Sequence, residues 1–238
     1  MTTFLAVECV SKRYGERAIL SNATLHAVEG QVRALVGRNG TGKSTLLKIA
    51  AGWIQPDSGA IHVGGHAHLT VSLPMMARLG VFYLPDHDLL SPSFTVRAQL
   101  EMFRQRFHGG DIAEAAAVTG ISDLLDRRPY SLSGGELRRA EIATALVRKP
   151  LCLLADEPYR GIAPIDCDVL TAAFRSLARG GCAVIMTGHE IHTVLDAVDH
   201  VTWCTDGTTY SLGPPAAALR DPRFQRDYMG PPAKKWVG

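Results

Sequence analysis

Eight consecutive residues, Gly37, Arg38, Asn39, Gly40, Thr41, Gly42, Lys43 and Ser44, limit what this chain can fold into more than any others. They stand between an apolar run, Val32 to Val36, and a stretch from Lys43 to Ala51 that places Leu46, Leu47, Ala50 and Ala51 at helical spacing. Gly52 falls where a helix C-terminal glycine belongs. The expectation is strand, glycine loop, helix. In that arrangement glycines let successive backbone N–H groups curl around a phosphate, while the helix start aims its positive end at the same charge. Lys43 is placed to reach the terminal phosphate oxygens as a compact cation, and the Ser44 hydroxyl to ligate Mg²⁺. A plain glycine turn capping a helix is the alternative, set aside because the strand before and the helix after supply the context of a phosphate loop.

The rest of the chain reads as an α/β fold: a P-loop nucleotidase core with a parallel sheet, an N-terminal antiparallel β subdomain and an inserted α-helical subdomain. Phe4 to Val10 and Thr24 to Val28 read as strands, and Glu29 and Gly30 turn the chain into Val32 to Val36. Pro56, Asp57, Ser58 and Gly59 make a turn before a strand at Ala60 to Val63. From Thr95 to about Arg148 the pattern is helical, so residues 86–148 are expected to form the inserted subdomain of a single domain spanning 1–238. Leu151 to Ala155 and Ala183 to Thr187 are short apolar runs of the kind that form buried parallel strands. Val201 to Cys204 and Thr208 to Leu212 flank Asp206 and Gly207 as a hairpin. The tail after Gly213, with Pro214, Pro215, Pro231 and Pro232, is expected to be loosely ordered.

Composition removes several classes of function. A formal charge of +2 gives no argument for nucleic acid as a partner. No run approaches the roughly 18 to 20 apolar residues of a membrane span. The five cysteines are scattered, with no CxxC pair, so neither a zinc site nor a disulfide framework is suggested and reduced thiols are expected.

Two further clusters carry chemistry. Asp156 follows the apolar run Leu151 to Ala155, at a strand end where α/β proteins place their ligands, and is suited to hold Mg²⁺ directly or through water. Glu157 comes next and is suited to act on an attacking water as general base. Ser133, Gly134, Gly135 and Glu136 precede Leu137, Ile142, Ala145 and Leu146 on one helical face, the pattern of a capping box. Taken alone, that pattern is a well-capped helix.

Leu132, Ser133, Gly134, Gly135 and Glu136, in order between the phosphate loop and Asp156 and Glu157, resemble the signature motif of the ATP-binding cassette (ABC) family. The similarity runs from about Phe4 to Leu212. It implies an ATPase that drives a transporter whose membrane-spanning permease subunits are separate chains, held peripherally at the cytoplasmic face of the cell membrane. It also implies a second ATPase subunit, identical or not, facing the first head to tail. ATP would lie on Gly37, Arg38, Asn39, Gly40, Thr41, Gly42, Lys43, Ser44 and Thr45, with Tyr14 stacked on adenine and Ser133, Gly134 and Gly135 supplied to the facing site. His189 matches the family's switch histidine and joins Glu157 as a catalytic candidate. Asp86 stands where most relatives have a metal-binding glutamine, and joins Ser44 and Asp156 as a metal candidate. Ala163 replaces the usual aspartate of the following loop, and the Gly161, Ile162, Ala163, Pro164 run is similar to the branched-chain amino acid importer ATPases. A non-transport ATP switch protein of the same superfamily is the alternative; such proteins commonly carry fused cassettes or long insertions, which this chain lacks.

Overall fold

Two sheets of opposite character divide the strands in the computed structural model, which describes residues 2–188 and 191–230. The first is antiparallel, in the order β2-β1-β4-β5, from β1 (Thr3–Tyr14), β2 (Arg17–Val28), β4 (Ser58–Val63) and β5 (His66–His68). The second is six-stranded, in the order β10-β9-β3-β8-β7-β6. It comprises β3 (Val32–Val36), β6 (Val81–Leu84), β7 (Cys152–Ala155), β8 (Ala183–Gly188), β9 (His200–Thr205) and β10 (Thr208–Gly213). Every neighbouring pair in it is parallel except the β9–β10 hairpin.

Continuous apolar runs become parallel strands because both faces of this sheet are covered. Alternate residues serve the two faces. Leu153 and Ala155 of β7, with Val184 and Met186 of β8, join a core built on Leu170 and Phe174 of α6 (Pro164–Arg179). Cys152 and Leu154, with Ala183 and Ile185, join the opposite core, which holds α1 (Lys43–Ala50) and the inner face of the antiparallel sheet. A third core, around Leu100, Ala116, Ile121, Ala140 and Val147, belongs to α3 (Val96–Phe107), α4 (Ile112–Thr119) and α5 (Gly134–Arg148). Arg148 bridges this helical block to the sheet, its guanidinium 4.7 Å from the ring centre of Phe82 and 4.3 Å from that of Phe107.

Gly52 adopts φ +74 just beyond α1, and its N–H donates to Ile49 O, as a glycine closing a helix does. Four elements go beyond the sequence reading. β1 and β2 are longer than their apolar cores because they pair with each other along most of their length. Strand β5 and α2 (Leu73–Arg78) are too short to show a period.

The tail through Gly230 corrects its expectation, whereas Pro231 and Pro232 lie outside the described residues. Pro215–Ala218 forms α8, Pro222–Phe224 a further helical turn, and Phe224 is fully buried, 5.6 Å from Trp203 and 5.1 Å from Tyr228 between ring centres. Pro215 and Pro222 start helices, where a missing N–H costs nothing, so the prolines organise this segment through Gly230. Among the described residues no helix is long and apolar enough to cross a membrane.

Candidate functional site

The sheet order puts β3 and β7 on either side of β8, and because the three are parallel the chain leaving β3 and the chain leaving β7 emerge at the same end of the sheet. This is the crevice at strand carboxyl ends where open α/β sheets bind ligands. An open cleft of 530 Å³ lies there, lined by Asn39, Gly40, Gly42, Lys43, Ser44 and Thr45 from the glycine loop and α1, by Arg17 and Ile19 from β2, and by Glu157 and Arg160.

The loop closes tightly on its surroundings. A side chain at Gly37 would meet Cys204 O at 2.2 Å, and one at Gly42, which has φ +103, would meet Leu20 at 2.6 Å. Thr41 Oγ1 donates to Arg38 O at 2.9 Å and braces the turn. Lys43 is 5% exposed, and its ammonium donates to Gly37 O at 2.8 Å and Arg38 O at 3.1 Å. Burial pulls the Lys43 pKa down, opposed by the nearby carboxylates of Glu157 and Asp156. A buried cation held by carbonyl dipoles is suited to an anion arriving in the cleft.

Asp156, 2% exposed, gathers hydroxyls. Ser44 Oγ donates to its Oδ1 at 3.0 Å, Thr187 Oγ1 to the same oxygen at 2.7 Å, and Tyr83 OH to Oδ2 at 3.0 Å. Burial first, then the Asp156 charge and its hydrogen bond, push the Tyr83 phenol well above its ordinary range, so it remains a donor. Next in the chain, Glu157 has φ +43 and donates its N–H to Thr187 Oγ1 at 2.8 Å. Ser44 and Asp156 present hard oxygen donors side by side, which fits a magnesium ion.

Other predicted residues lie elsewhere. Asp86 is not drawn to Ser44 and Asp156: its Oδ2 accepts from Arg160 Nη1 at 3.2 Å, and His87 Nε2 stands 3.6 Å from its Oδ1. Tyr14 is 51% exposed at the end of β1, paired across the turn with Arg17 and outside the cleft lining. Ser133, Gly134 and Gly135 also lie outside the lining of this cleft. Ser133 Oγ accepts from Glu136 N–H, and Ser133 N–H donates to Glu136 Oε2 at 2.8 Å, completing the capping box of α5. Gly134 faces open space, whereas a side chain on Gly135 would come within 2.7 Å of Asp166. His189 lies outside the described residues.

Sequence reasoning missed the buried pair Arg138 and Glu141, joined at 2.8 Å with side chains 5% and 3% exposed. Arg138 also donates to the carbonyls of Pro85, Asp156 and Pro158, while Leu89 N–H donates to Glu141. The pair thus pins the loops after β6 and β7 to the helix that begins at Gly134. The available signal was a charged i,i+3 pair among the apolar positions of that helix.

Compared with known proteins, residues 20–160, more than half of the chain, match the ABC transporter family. A zinc import ATP-binding protein ZnuC of Alkalilimnicola ehrlichii is 34% identical over 94% of this chain and 83% of its own length. A lipopolysaccharide export system ATP-binding protein LptB of Acidithiobacillus ferridurans is 30% identical over 97% of this chain and 98% of its own. Among solved structures, the ADP conformation of an ATP-binding cassette of an ABC transporter superposes with a TM-score of 0.83 at 23% identity, covering 97% of this chain and 100% of that one.

Proposed function

This chain belongs to the ABC transporter family as an ATP-hydrolysing subunit, and we propose that its cleft at Lys43, Ser44, Asp156 and Glu157 is where MgATP is bound and cleaved. The observation that carries the assignment is the convergence of a buried cation, a hydroxyl–carboxylate pair and a second carboxylate at the ends of β3 and β7. In this reading the N–H groups of Gly40, Thr41, Gly42, Lys43 and Ser44 cradle the phosphates, and Lys43 exchanges its carbonyl partners for phosphate oxygens. Ser44 and Asp156 hold Mg²⁺, which neutralises charge on the phosphates. Glu157 positions the attacking water and accepts its proton. Tyr14, Arg38, Asn39 and Thr45 are assigned to the nucleotide and His189 to the γ-phosphate, while Asp86, the third metal candidate, stands at the rim of the cleft paired with Arg160.

Ser133, Gly134 and Gly135 sit at a helix N-terminus, away from their own cleft, with Gly134 open to solvent. That supports their use by a second subunit, identical or homologous, stacked head to tail across the nucleotide. Closure and reopening of this pair would move permease subunits docked on the helical block within 86–148 of a single domain, at the cytoplasmic face of the membrane. Relatives named as import and export ATPases favour transport over a non-transport ATP switch. Within the family, the run Gly161, Ile162, Ala163, Pro164 supports a place beside the branched-chain amino acid importer ATPases.

A binding titration tests the site. A fluorescent ATP analogue should bind the wild type in the presence of Mg²⁺ and fail to bind Lys43→Ala. Equal binding by both proteins would remove the cleft from the account.

A further inference from the structure

We propose that Arg160 is a positioning residue of the hydrolytic site, a guanidinium that spans Asp86 and Glu157 and cancels the charge that Asp86 brings to the phosphate cleft. The proposal rests on the reading of this cleft as the ATP hydrolysis site.

The geometry is specific to these three side chains. Arg160 Nη1 donates to Asp86 Oδ2 at 3.2 Å, and Arg160 Nε stands 4.0 Å from Glu157 Oε2. One planar fork therefore faces two carboxylates with different nitrogens, which a lysine ammonium cannot reproduce. The backbone beneath all three is held. Glu157 is fixed by its N–H on Thr187 Oγ1, and Arg160 N–H donates to Glu157 O at 3.1 Å, so both sit on one tight turn. Asp86 lies between Pro85, whose carbonyl accepts from Arg138, and Leu89, whose N–H donates to Glu141. Neither end of the bridge hangs on a free loop.

Charge gives the bridge its purpose. Glu157 lines a cleft that must admit a polyphosphate, Asp156 is bonded to its Ser44, and Asp86 adjoins it through Arg160; each carboxylate repels the phosphates. Asp156 is compensated by three hydroxyls and, in the working site, by the metal. Asp86 meets Arg160 instead, and Arg160 itself lines the cleft. Because Arg160 is 61% exposed, the pair adds little to stability, so its loss registers in catalysis rather than in folding.

The test is a double-mutant cycle on the full chain with MgATP turnover as the readout and the thermal midpoint as the folding control. Arg160→Ala should lower kcat about tenfold with a smaller change in KM, the signature of a displaced catalytic group. Arg160→Lys should recover only part of that loss. Adding Asp86→Asn to Arg160→Ala should recover most of it, because the uncompensated charge is gone. Wild-type kcat in Arg160→Ala, or losses that simply multiply in the double mutant, would overturn the proposal. A KM rise in proportion to the kcat loss, with no recovery from Asp86→Asn, would instead make Arg160 a direct phosphate ligand and overturn the positioning role. A wild type that binds no ATP removes the underlying site assignment, an outcome distinguishable by the nucleotide titration alone.

Discussion

Ser44 Oγ donates a hydrogen bond to Asp156 Oδ1 across 3.0 Å, although the two residues are 112 positions apart. One lies in the first turn of the helix after the glycine loop and the other directly follows β7. Their meeting depends on β8 lying between β3 and β7, and Thr187 of β8 donates to the same carboxylate oxygen. This hydroxyl–carboxylate pair is therefore a product of strand order.

Tyr83 completes the set of hydroxyls on Asp156 and should tune metal affinity. Tyr83→Phe keeps the ring, which packs edge-on to Trp53 at 5.6 Å, and removes only the donor to Oδ2. The Mg²⁺ concentration for half-maximal turnover should rise roughly three- to tenfold, in line with the net worth of one hydrogen bond. A Mg²⁺ titration of both proteins checks this, and superposable curves would separate Tyr83 from the metal site.

Arg138 and Glu141 should matter first for stability. Arg138→Ala leaves a buried carboxylate without its counter-ion and three carbonyls without their donor. The cost should be about 3–5 kcal/mol, read by urea unfolding. Replacing the pair together, Arg138→Met with Glu141→Leu, should recover part of the loss but not all, because the Pro85, Asp156 and Pro158 carbonyls stay unpaired.

Much of the site was legible in the sequence because its residues lie in short contiguous runs whose backbone they determine themselves. Gly37 to Ser44 and Asp156 to Glu157 carry their geometry in local residue types, and Ser133 with Glu136 forms the reciprocal cap its spacing implied. The strands β3, β7 and β8 were legible because burial on both faces demands unbroken apolar runs. What escaped was set by long-range contact. Thr187 reads as an ordinary strand residue and Tyr83 carries no signal until β6, β7 and β8 bring them around one carboxylate. The tail was misread because prolines that start helices look, in sequence, like prolines that prevent them, and Phe224 gave no periodic signal.

A pH prediction follows from His200. Burial first, then Arg33 and His26, lower its pKa from 6.5 to about 4, and its Nδ1 is buried without a hydrogen-bond partner among the described residues. The folded protein thus resists a proton that the unfolded chain accepts. The stability this histidine contributes is fully present above pH 6.5 and is lost as pH falls from there toward about 4. Thermal midpoints measured across that window should fall less steeply for His200→Gln than for the wild type; parallel curves would show that His200 is not the group responsible.

The most direct measurement is phosphate release from MgATP by the purified wild type beside Glu157→Gln, with the association state of each followed by size-exclusion chromatography. Glu157→Gln keeps the shape of the side chain and removes the carboxylate that receives the proton. The account predicts turnover by the wild type, a loss of at least about a hundredfold in the mutant, and accumulation of the mutant as an ATP-bound dimer. Undiminished hydrolysis by Glu157→Gln would contradict it, because the carboxylate at the end of β7 would then have no part in the reaction.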